Sequence, residues 1–466
     1  MKKNTRVGLV LGVIFVLILS GSQRCDSKDT QILLSKNFGV DGANSDYLAN
    51  IAELGDGISG VNGVKWEILE PKPPLNGRHF YSWKKLDKGL KKFKDSGRAI
   101  QFNIIVRNPW AMELSEIAGI DAANGKKIAK LKRIKPGHAQ DWSLFIYELV
   151  KRYPEIKFLQ IGSEEENAWA DVTGYIQALC LANIAAKRAN PEIIIMAAGF
   201  NLGDFFTLSD AEKEVFKDKR PMDRKFKFIG AFLADAKDCF DVLSIHLSGR
   251  EKSIPQTISW YRDRMEASGY TKPIWSEDTA SAPSAGWIKP LPQEEKIIVL
   301  LKSDRLRNDR DNLGRFLKMQ AGLVVKKSAV AFASGVERVF ISSDVDFHRY
   351  YIPEWRYMGL IDYKAKARKP AFYTYKMLIS KIDGFLKAEK INDCIYKFSF
   401  RDKNPVFIAW VDSGTKTVDF SLYIRSRNLK LTHIITEPGQ TDKDARIEEV
   451  PTNSVKIDEV PVFIEG

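Results

Sequence analysis

Short β-branched apolar runs alternate with longer amphipathic stretches from about residue 32 to residue 382, and this alternation limits the fold more than any other feature of the sequence. Such a pattern is typical of βα units that form a parallel sheet. Two of the amphipathic stretches, 83–97 and 175–191, predict helices that end at Gly97 and at Asn190-Pro191. We predict eight strands, at 32–39, 63–69, 99–106, 157–164, 192–199, 240–246, 272–277 and 338–344. Eight repeats of strand then helix over about 350 residues predict a (β/α)8 TIM barrel.

The pattern changes after Gly384, where short alternating strands separated by turn residues replace the βα repeats. This change predicts a small antiparallel β-sandwich at the C-terminus. We place the boundary near Asp383–Gly384, which assigns 28–383 to the barrel and 384–466 to the β-sandwich. The sequence offers no Pro-rich or Ser-rich linker there, so we expect the two domains to pack together.

The first residues have the layout of a secretory signal peptide, which we assign to 1–24. Lys2, Lys3 and Arg6 precede an apolar run at 7–19, which is shorter than the roughly 20 residues of a membrane span. The expected location is therefore periplasmic, extracellular or at the cell surface, with no transmembrane span after signal removal. A lipid anchor at Cys25 is the less favoured alternative, because Gln23-Arg24 are not the small residues that lipoprotein processing needs.

The net charge of +13 predicts a basic surface, which favours an acidic polysaccharide as a partner. Nucleic acid is not expected, since no recognition motif accompanies the charge. A dense lysine cluster at 126–135 is interpreted as a loop, either in contact with substrate or simply solvated. The cysteines Cys180, Cys239 and Cys394 are widely spaced and odd in number, so we expect buried small side chains and no disulfide framework.

Two of the predicted barrel strands end in carboxylates. Strand four ends in IGSE at Glu164, and strand seven ends in PIWSE at Glu277. Loops at the C-terminal ends of barrel strands converge on one cavity, so both side chains are expected at its mouth. A protonated carboxyl group that assists the leaving oxygen and an ionised one that attacks the anomeric carbon, about 5–5.5 Å apart, can split a glycosidic bond.

These two segments resemble the strand-four acid/base and strand-seven nucleophile segments of the clan A glycoside hydrolases, retaining (β/α)8 enzymes that include β-xylosidase-, α-iduronidase- and cellulase-like families. Further stretches keep the same order, namely 66–87, 240–246, 335–340, 359–378 and the terminal VPVFIEG. The resemblance implies that Glu164 is the acid/base and Glu277 the nucleophile. The chain departs from the clan at Ser163, where Asn is usual, and at strand eight, which lacks the usual Trp.

Other side chains near the ends of the predicted strands are candidates for sugar binding, and each has a packing alternative. The glutamates after Glu164 differ, because alternation turns Glu165 away while Glu166 can reach the pocket from a loop. Aromatic rings in such loops often stack on sugars, whereas Trp275 is expected to pack inside the barrel. The substrate-binding candidates are Ser163, His246, Asn103, Arg107, Trp110, Trp169, Trp287 and Trp355, with Asp344 and Asp346 as weaker ones.

The sequence thus predicts a retaining glycoside hydrolase that acts on a poly- or oligosaccharide and needs no metal or cofactor. Two alternatives stay open, a carbohydrate-binding barrel that no longer hydrolyses and a transglycosylase. The pattern does not define the sugar, the linkage, endo or exo action, or the oligomeric state.

Overall fold

The computed structural model describes residues 37–55, 57–120, 127–210, 213, 222–282, 294–347 and 352–466. Eight parallel strands form the barrel. They are β1 Phe38–Asp41, β2 Ile58–Lys65, β3 Ala99–Ile105, β4 Ile156–Ile161, β5 Ile194–Met196 with Phe200–Asn201, β6 Leu243–Leu247, β7 Ile274–Ala280 and β8 Arg338–Ser342.

The fifth strand closes the barrel. Its first half pairs with β4 and its second half pairs with β6, and a bridge between Met196 and Val242 joins the first half to the segment before β6. The remaining strands run in the order β4-β3-β2-β1-β8-β7-β6, so every strand has two neighbours. The predicted TIM barrel is confirmed.

Helices follow the strands around the barrel. The longer ones have the sequence signals of regular helices: Asp171 caps one helix by accepting from the backbone N–H groups of Thr173 and Gly174, and that helix carries Lys187 and Arg188 in its last turn. None of the helices in the described ranges combines the length and apolarity of a bilayer span. They are α1 Leu48–Ala52, α2 Trp66–Leu69, α3 Lys84–Asp95, α4 Ala139–Arg152, α5 Glu165–Ala168, α6 Val172–Ala189, α7 Met222–Asp235, α8 Ile254–Ala267, α9 Glu295–Lys302, α10 Arg310–Ala333 and α11 Pro370–Ile382.

Several predicted strands differ from the observed ones, and the fifth, predicted at 192–199, is interrupted between Met196 and Phe200. The stretch at 63–69 was predicted to be extended throughout, but its second half forms α2, where the Trp66 indole N–H donates to Glu70 at 2.8 Å. Strand β4 stops at Ile161 because Gly162 and Glu164 have positive φ angles of 86° and 50°. Residues 32–36 of the first predicted strand lie outside the described residues.

The lysine cluster at 126–135 was predicted to be a loop, and this is wrong. Lys127–Ile134 is a strand that pairs with Met112–Ile120 in an antiparallel hairpin. Leu131 and Ile134 are buried, while Lys132 and Arg133 both bind Glu113. The many lysines concealed the alternation of apolar and polar positions on which a strand prediction depends.

The C-terminal unit is an antiparallel sandwich. Its strands are β9 Lys387–Asn392, β10 Ile395–Ser399, β11 Val406–Ala409, β12 Thr415–Val418, β13 Asn428–His433, β14 Ile447–Pro451, β15 Val455–Asp458 and β16 Val462–Glu465. Six of them, in the order β9-β10-β11-β16-β13-β14, face a two-stranded ribbon of β12 and β15. The edge strands β9 and β14 were not predicted, because their charged residues hide the apolar alternation on which a strand prediction depends. Such charges discourage an edge strand from pairing with another chain.

The sandwich packs directly on the barrel helices. One face of the six-stranded sheet joins the apolar core of the barrel, and Phe332 of α10 contacts Phe398 with ring centroids 6.4 Å apart. Thr374 of α11 donates to the Ile435 carbonyl at 2.9 Å and accepts from the Ile435 N–H. These contacts join the sandwich to the barrel helices around a shared apolar core.

A disulfide joins Cys180 of α6 to Cys239, which follows α7. The expectation that both cysteines are unpaired buried side chains is therefore wrong. Their separation of 59 residues in the sequence gave no indication that α6 and α7 lie side by side. Cys394 has a free thiol.

Replacing both Cys180 and Cys239 by Ala should lower the free energy of unfolding by about 2–4 kcal/mol, because the crosslink restricts the unfolded chain. Denaturant unfolding of the oxidised protein measures the difference, with Cys394→Ala as the matched control that leaves the crosslink intact. Equal stability of the double variant and the wild type would contradict this role.

Candidate active site

Glu164, His246 and Glu277 meet at the C-terminal ends of strands β4, β6 and β7. The Nδ1 atom of His246 lies 3.0 Å from Oε1 of Glu164, and its Nε2 atom lies 2.8 Å from Oε1 of Glu277. One imidazole ring therefore bridges two carboxylates that are 113 positions apart in the sequence. The imidazole ring and its two hydrogen bonds keep Oε1 of Glu164 and Oε1 of Glu277 within roughly 8 Å of each other.

Glu277 is held from below by amides. Gln160 of β4 donates from Nε2 to Oε1 of Glu277 at 2.6 Å, and Gln101 of β3 donates from Nε2 to the side-chain Oε1 of Gln160 at 2.9 Å. The Glu277 side chain is only 4% exposed. This buried chain of amides fixes one oxygen of Glu277 with two donors, His246 and Gln160.

Glu164 is more exposed and is held from its sides. Its left-handed backbone conformation turns the chain at the end of β4, and 27% of its side chain is exposed. Asn201 donates to Oε1 at 2.8 Å and Asn167 donates to Oε2 at 3.0 Å. The Ser248 hydroxyl in turn donates to the side-chain Oδ1 of Asn201 at 2.8 Å.

The next two glutamates lie behind Glu164 and outside the cavity. Glu165 and Glu166 are each 1% exposed, so the prediction that Glu166 reaches the pocket is wrong. Glu166 forms an ion pair with Lys225 of α7 at 3.0 Å and accepts from the backbone N–H of Asn201. It therefore supports the loop that carries Asn201, which contacts Glu164.

Gly199 allows the strands to approach each other at this point. A β-carbon there would lie 2.1 Å from Nε2 of His246 and 2.5 Å from Oε1 of Glu277, which no real side chain tolerates. The gap in strand β5 between Met196 and Phe200 includes this glycine. A side chain at this position would push His246 away from Glu277.

The charge of His246 depends on the two glutamates beside it, and the charge of Glu164 depends on His246. Burial disfavours the charged form of His246, but Glu277 and Glu164 outweigh that effect, so the pKa of His246 lies well above its ordinary value. Burial likewise works to raise the pKa of Glu164, but the hydrogen bond and charge of His246 lower that pKa to about 2. The resting site thus holds an imidazolium beside an ionised Glu164, whereas the acid/base prediction implied a protonated carboxyl group.

Two more carboxylates, Asp41 and Asp278, surround this centre. Burial and then the charges of Glu277 and Asp278 raise the pKa of Asp41 well above its usual range. Asp278 lies 3.9 Å from Nδ1 of His246. In the described part of the chain, no three His, Cys, Asp or Glu side chains are grouped as metal ligands.

The other predicted binding residues have different positions. Asn103 lies beside Gln160 on strand β3 and is buried. Ser163 forms a bridge with Gly199 at the mouth. Arg107 donates to the Ala129 carbonyl of the hairpin at 3.3 Å, and Asp346 forms an ion pair with Lys369, so these two are held by other parts of the fold.

The four predicted tryptophans do not share one role. Trp169 is fully buried, so the prediction that it stacks on a sugar is wrong. Trp110 packs edge-on against Trp66 at 5.1 Å and donates to the Glu70 carbonyl, which favours its packing alternative. Trp355 is partly exposed in the turn Pro353–Tyr357, so sugar contact stays a prediction there. Trp287 lies outside the described residues.

Sequence reasoning missed Gln160, Asn201, Asp41 and Asp278. Gln160 could have been found from strand alternation, because it lies on an inward-facing position of β4. Asn201 and Asp41 stand at strand ends, where polar side chains are candidates for any barrel enzyme. Asp278 had no signal, since alternation turns it away from Glu277.

Comparison with known proteins places this arrangement in a known fold. No family model and no curated protein matches the sequence. Solved structures do match: a family 39 glycoside hydrolase from Bacteroides cellulosilyticus WH2 is 12% identical with a TM-score of 0.58, covering 93% of this chain and 81% of that one. A GH39 β-xylosidase from Caulobacter crescentus is 14% identical with a TM-score of 0.53, covering 94% and 92%.

The chain has the fold of these glycoside hydrolases. A GH30 endoxylanase from Clostridium papyrosolvens C71 adds a second family with the same architecture, at 12% identity and a TM-score of 0.51 over 92% and 96% of the two chains. The resemblance to clan A that the sequence motifs indicated is therefore matched in the fold.

We expect His246 to carry protons on both ring nitrogens at neutral pH, which ¹⁵N–¹H NMR of the histidines measures directly. Its raised pKa stabilises the fold below about pH 6.5, and this contribution is lost as the pH rises through the pKa of the folded protein. Glu277→Gln should lower the pKa of His246, while Glu192→Gln, on an exposed side chain, should not change it. A single neutral tautomer in the wild type at pH 7 would contradict the assignment.

Proposed function

We propose that this chain is a glycoside hydrolase that cleaves O-glycosidic bonds of a poly- or oligosaccharide by a retaining double displacement. The observation that carries the proposal is the contact of Glu164 and Glu277 with opposite nitrogens of His246. Two carboxylates held at the mouth of a TM barrel can act on opposite sides of one glycosidic bond. The fold shared with GH39 and GH30 enzymes supports this function.

Glu277 is proposed as the nucleophile because it is the buried, rigidly held carboxylate. Donors from His246 and Gln160 orient one of its oxygens. Its attack on the anomeric carbon forms a glycosyl ester while the bond to the leaving oxygen breaks. Water then cleaves the ester and restores the carboxylate.

Glu164 is proposed as the acid/base, and His246 as the source of its proton. The leaving oxygen needs a proton, but Glu164 is ionised at rest because His246 lies beside it. Transfer of the Nδ1 proton across the 3.0 Å hydrogen bond converts Glu164 to the acid, which passes the proton to the leaving oxygen. In the second step Glu164 takes a proton from the attacking water and returns it to Nδ1 of His246, which restores the imidazolium.

The stereochemical outcome rests on the resemblance to retaining enzymes. The span between the two bridged oxygens, roughly 8 Å at most, includes both the gap of about 5–5.5 Å for double displacement and the wider gap of inverting enzymes. Proton NMR of the first-formed sugar therefore decides the point. We expect the anomeric configuration of the substrate in the product, and the opposite configuration would exclude Glu277 as a nucleophile.

Export from the cytoplasm is part of the proposal. The basic residues and apolar run at the N-terminus have the layout of a signal peptide. The disulfide between Cys180 and Cys239 supports an oxidising compartment, since such bonds are rare in the cytosol.

Glu277→Ala should lower kcat on a chromogenic glycoside by about 10⁴-fold or more, because the covalent step loses its nucleophile. Glu192→Gln, which removes an exposed carboxylate, should keep wild-type kcat. Calorimetry of the wild type with an oligosaccharide measures binding separately from turnover. Binding without hydrolysis would favour the alternative of a carbohydrate-binding barrel.

Glu164→Gln should lose more activity on glycosides with poor leaving groups than on activated aryl glycosides, because only the poor leaving groups need the proton. The measurement is kcat/KM over a series of aryl glycosides with increasing phenol pKa. A uniform loss across the series would show that Glu164 does not protonate the leaving oxygen.

A further inference from the structure

Strand β7 contains a bulge that places two consecutive acidic residues on the same side. The register of β7 shifts between Ser276 and Asp278 against β6, and between Ser276 and Thr279 against β8. Glu277 contacts Nε2 of His246 at 2.8 Å, and Asp278 lies 3.9 Å from Nδ1 of the same ring. Bulges near active sites commonly redirect a side chain in this way, so Asp278 faces the cavity with 21% of its side chain exposed.

Asp41 at the end of β1 adds a further carboxyl group. It pairs in register with Ser342 of β8, and its Oδ1 lies 3.1 Å from the position of a β-carbon on Gly60. Its pKa is raised by burial and by the charges of Glu277 and Asp278. Glu164, Glu277 and Asp278 thus place three carboxyl groups beside the single imidazolium of His246, and the raised pKa of Asp41 reflects the negative charge of Glu277 and Asp278.

Asn103 provides an independent indication of what the cavity accepts. It pairs with Gln160 across strands β3 and β4, so both side chains lie on the inner face of the barrel. Asn103 is 7% exposed, and its Oδ1 has no hydrogen-bond partner in the structure. A buried acceptor without a partner has a free-energy cost that a donor on a ligand removes.

Building on the proposed function, we propose that the sugar ring between Glu164 and Glu277 is uncharged or carries an amino group, and that Asp278 excludes uronic acids from this subsite. Hydroxyl and ammonium groups donate hydrogen bonds to carboxylates and to the Asn103 oxygen. A sugar carboxylate would instead face Asp278 and Glu277, and such like-charge contacts strongly disfavour a ligand.

Matched pairs of 4-nitrophenyl glycosides that differ only at C6 test the proposal. The pairs are glucoside with glucuronide and galactoside with galacturonide, and the 2-amino-2-deoxyglucoside is added. For the pairs that are cleaved, we expect kcat/KM of the wild type to favour the neutral sugar by at least about 100-fold. Equal or better cleavage of the uronide would overturn the proposal and leave the hydrolase function intact.

The Asp278→Asn variant tests whether Asp278 causes the preference for the neutral sugar over the uronide. This variant should reduce the ratio of kcat/KM for the neutral sugar to kcat/KM for the uronide by at least about 10-fold. As a control, Asp263→Asn removes the same charge from the exposed surface of α8 and should leave this ratio unchanged. An unchanged ratio in a folded Asp278→Asn protein would overturn the role of Asp278. Circular dichroism establishes that each variant is folded.

If no glycoside is cleaved, the hydrolase proposal fails and the charge preference is still tested by binding. Calorimetry of the full chain with methyl glucoside and methyl glucuronide then supplies the readout. Tighter binding of the neutral glycoside supports the preference. Tighter binding of the glucuronide, or no difference between the two, overturns it.

Discussion

The site depends on one interaction, the imidazolium of His246 between the carboxylates of Glu164 and Glu277. A protonated ring is the form that can donate to both carboxylates at once, and its charge offsets the repulsion that would otherwise separate them. Both glutamates therefore raise the pKa of His246, and His246 in turn lowers the pKa of Glu164. The same contact links the buried Glu277 to the more exposed Glu164. In the proposed mechanism Glu277 attacks the sugar and Glu164 transfers the protons.

The barrel makes this interaction possible through small local departures from regular structure. Gly199 leaves room where strand β5 is interrupted, the left-handed turn at Glu164 points its side chain to the mouth, and the bulge in β7 brings a second acid inward. Behind them, the pair of Glu166 with Lys225 supports the loop of Asn201. An isolated buried charge is costly, and the buried Glu166 has Lys225 as its partner.

The sequence alone predicted the repeating barrel strands and the two glutamates, Glu164 and Glu277, near the C-terminal ends of β4 and β7. The eight strands and the two glutamates proposed as catalytic follow from a regular pattern and from the resemblance, which are properties of contiguous stretches. The bulge that turns Asp278 inward and the packing that buries Trp169 depend on neighbouring strands and helices that are distant in sequence. Local patterning does not contain that information, and it also missed the disulfide between Cys180 and Cys239 for the same reason.

Trapping of the covalent intermediate tests the central claim most directly. A set of 2-deoxy-2-fluoro glycosyl fluorides slows the second step more than the first, so the sugar stays on the nucleophile, and peptide mass spectrometry locates it. The account predicts one sugar on Glu277 and none in a Glu277→Ala protein. A label on another carboxylate, or turnover with inversion of configuration, would contradict it.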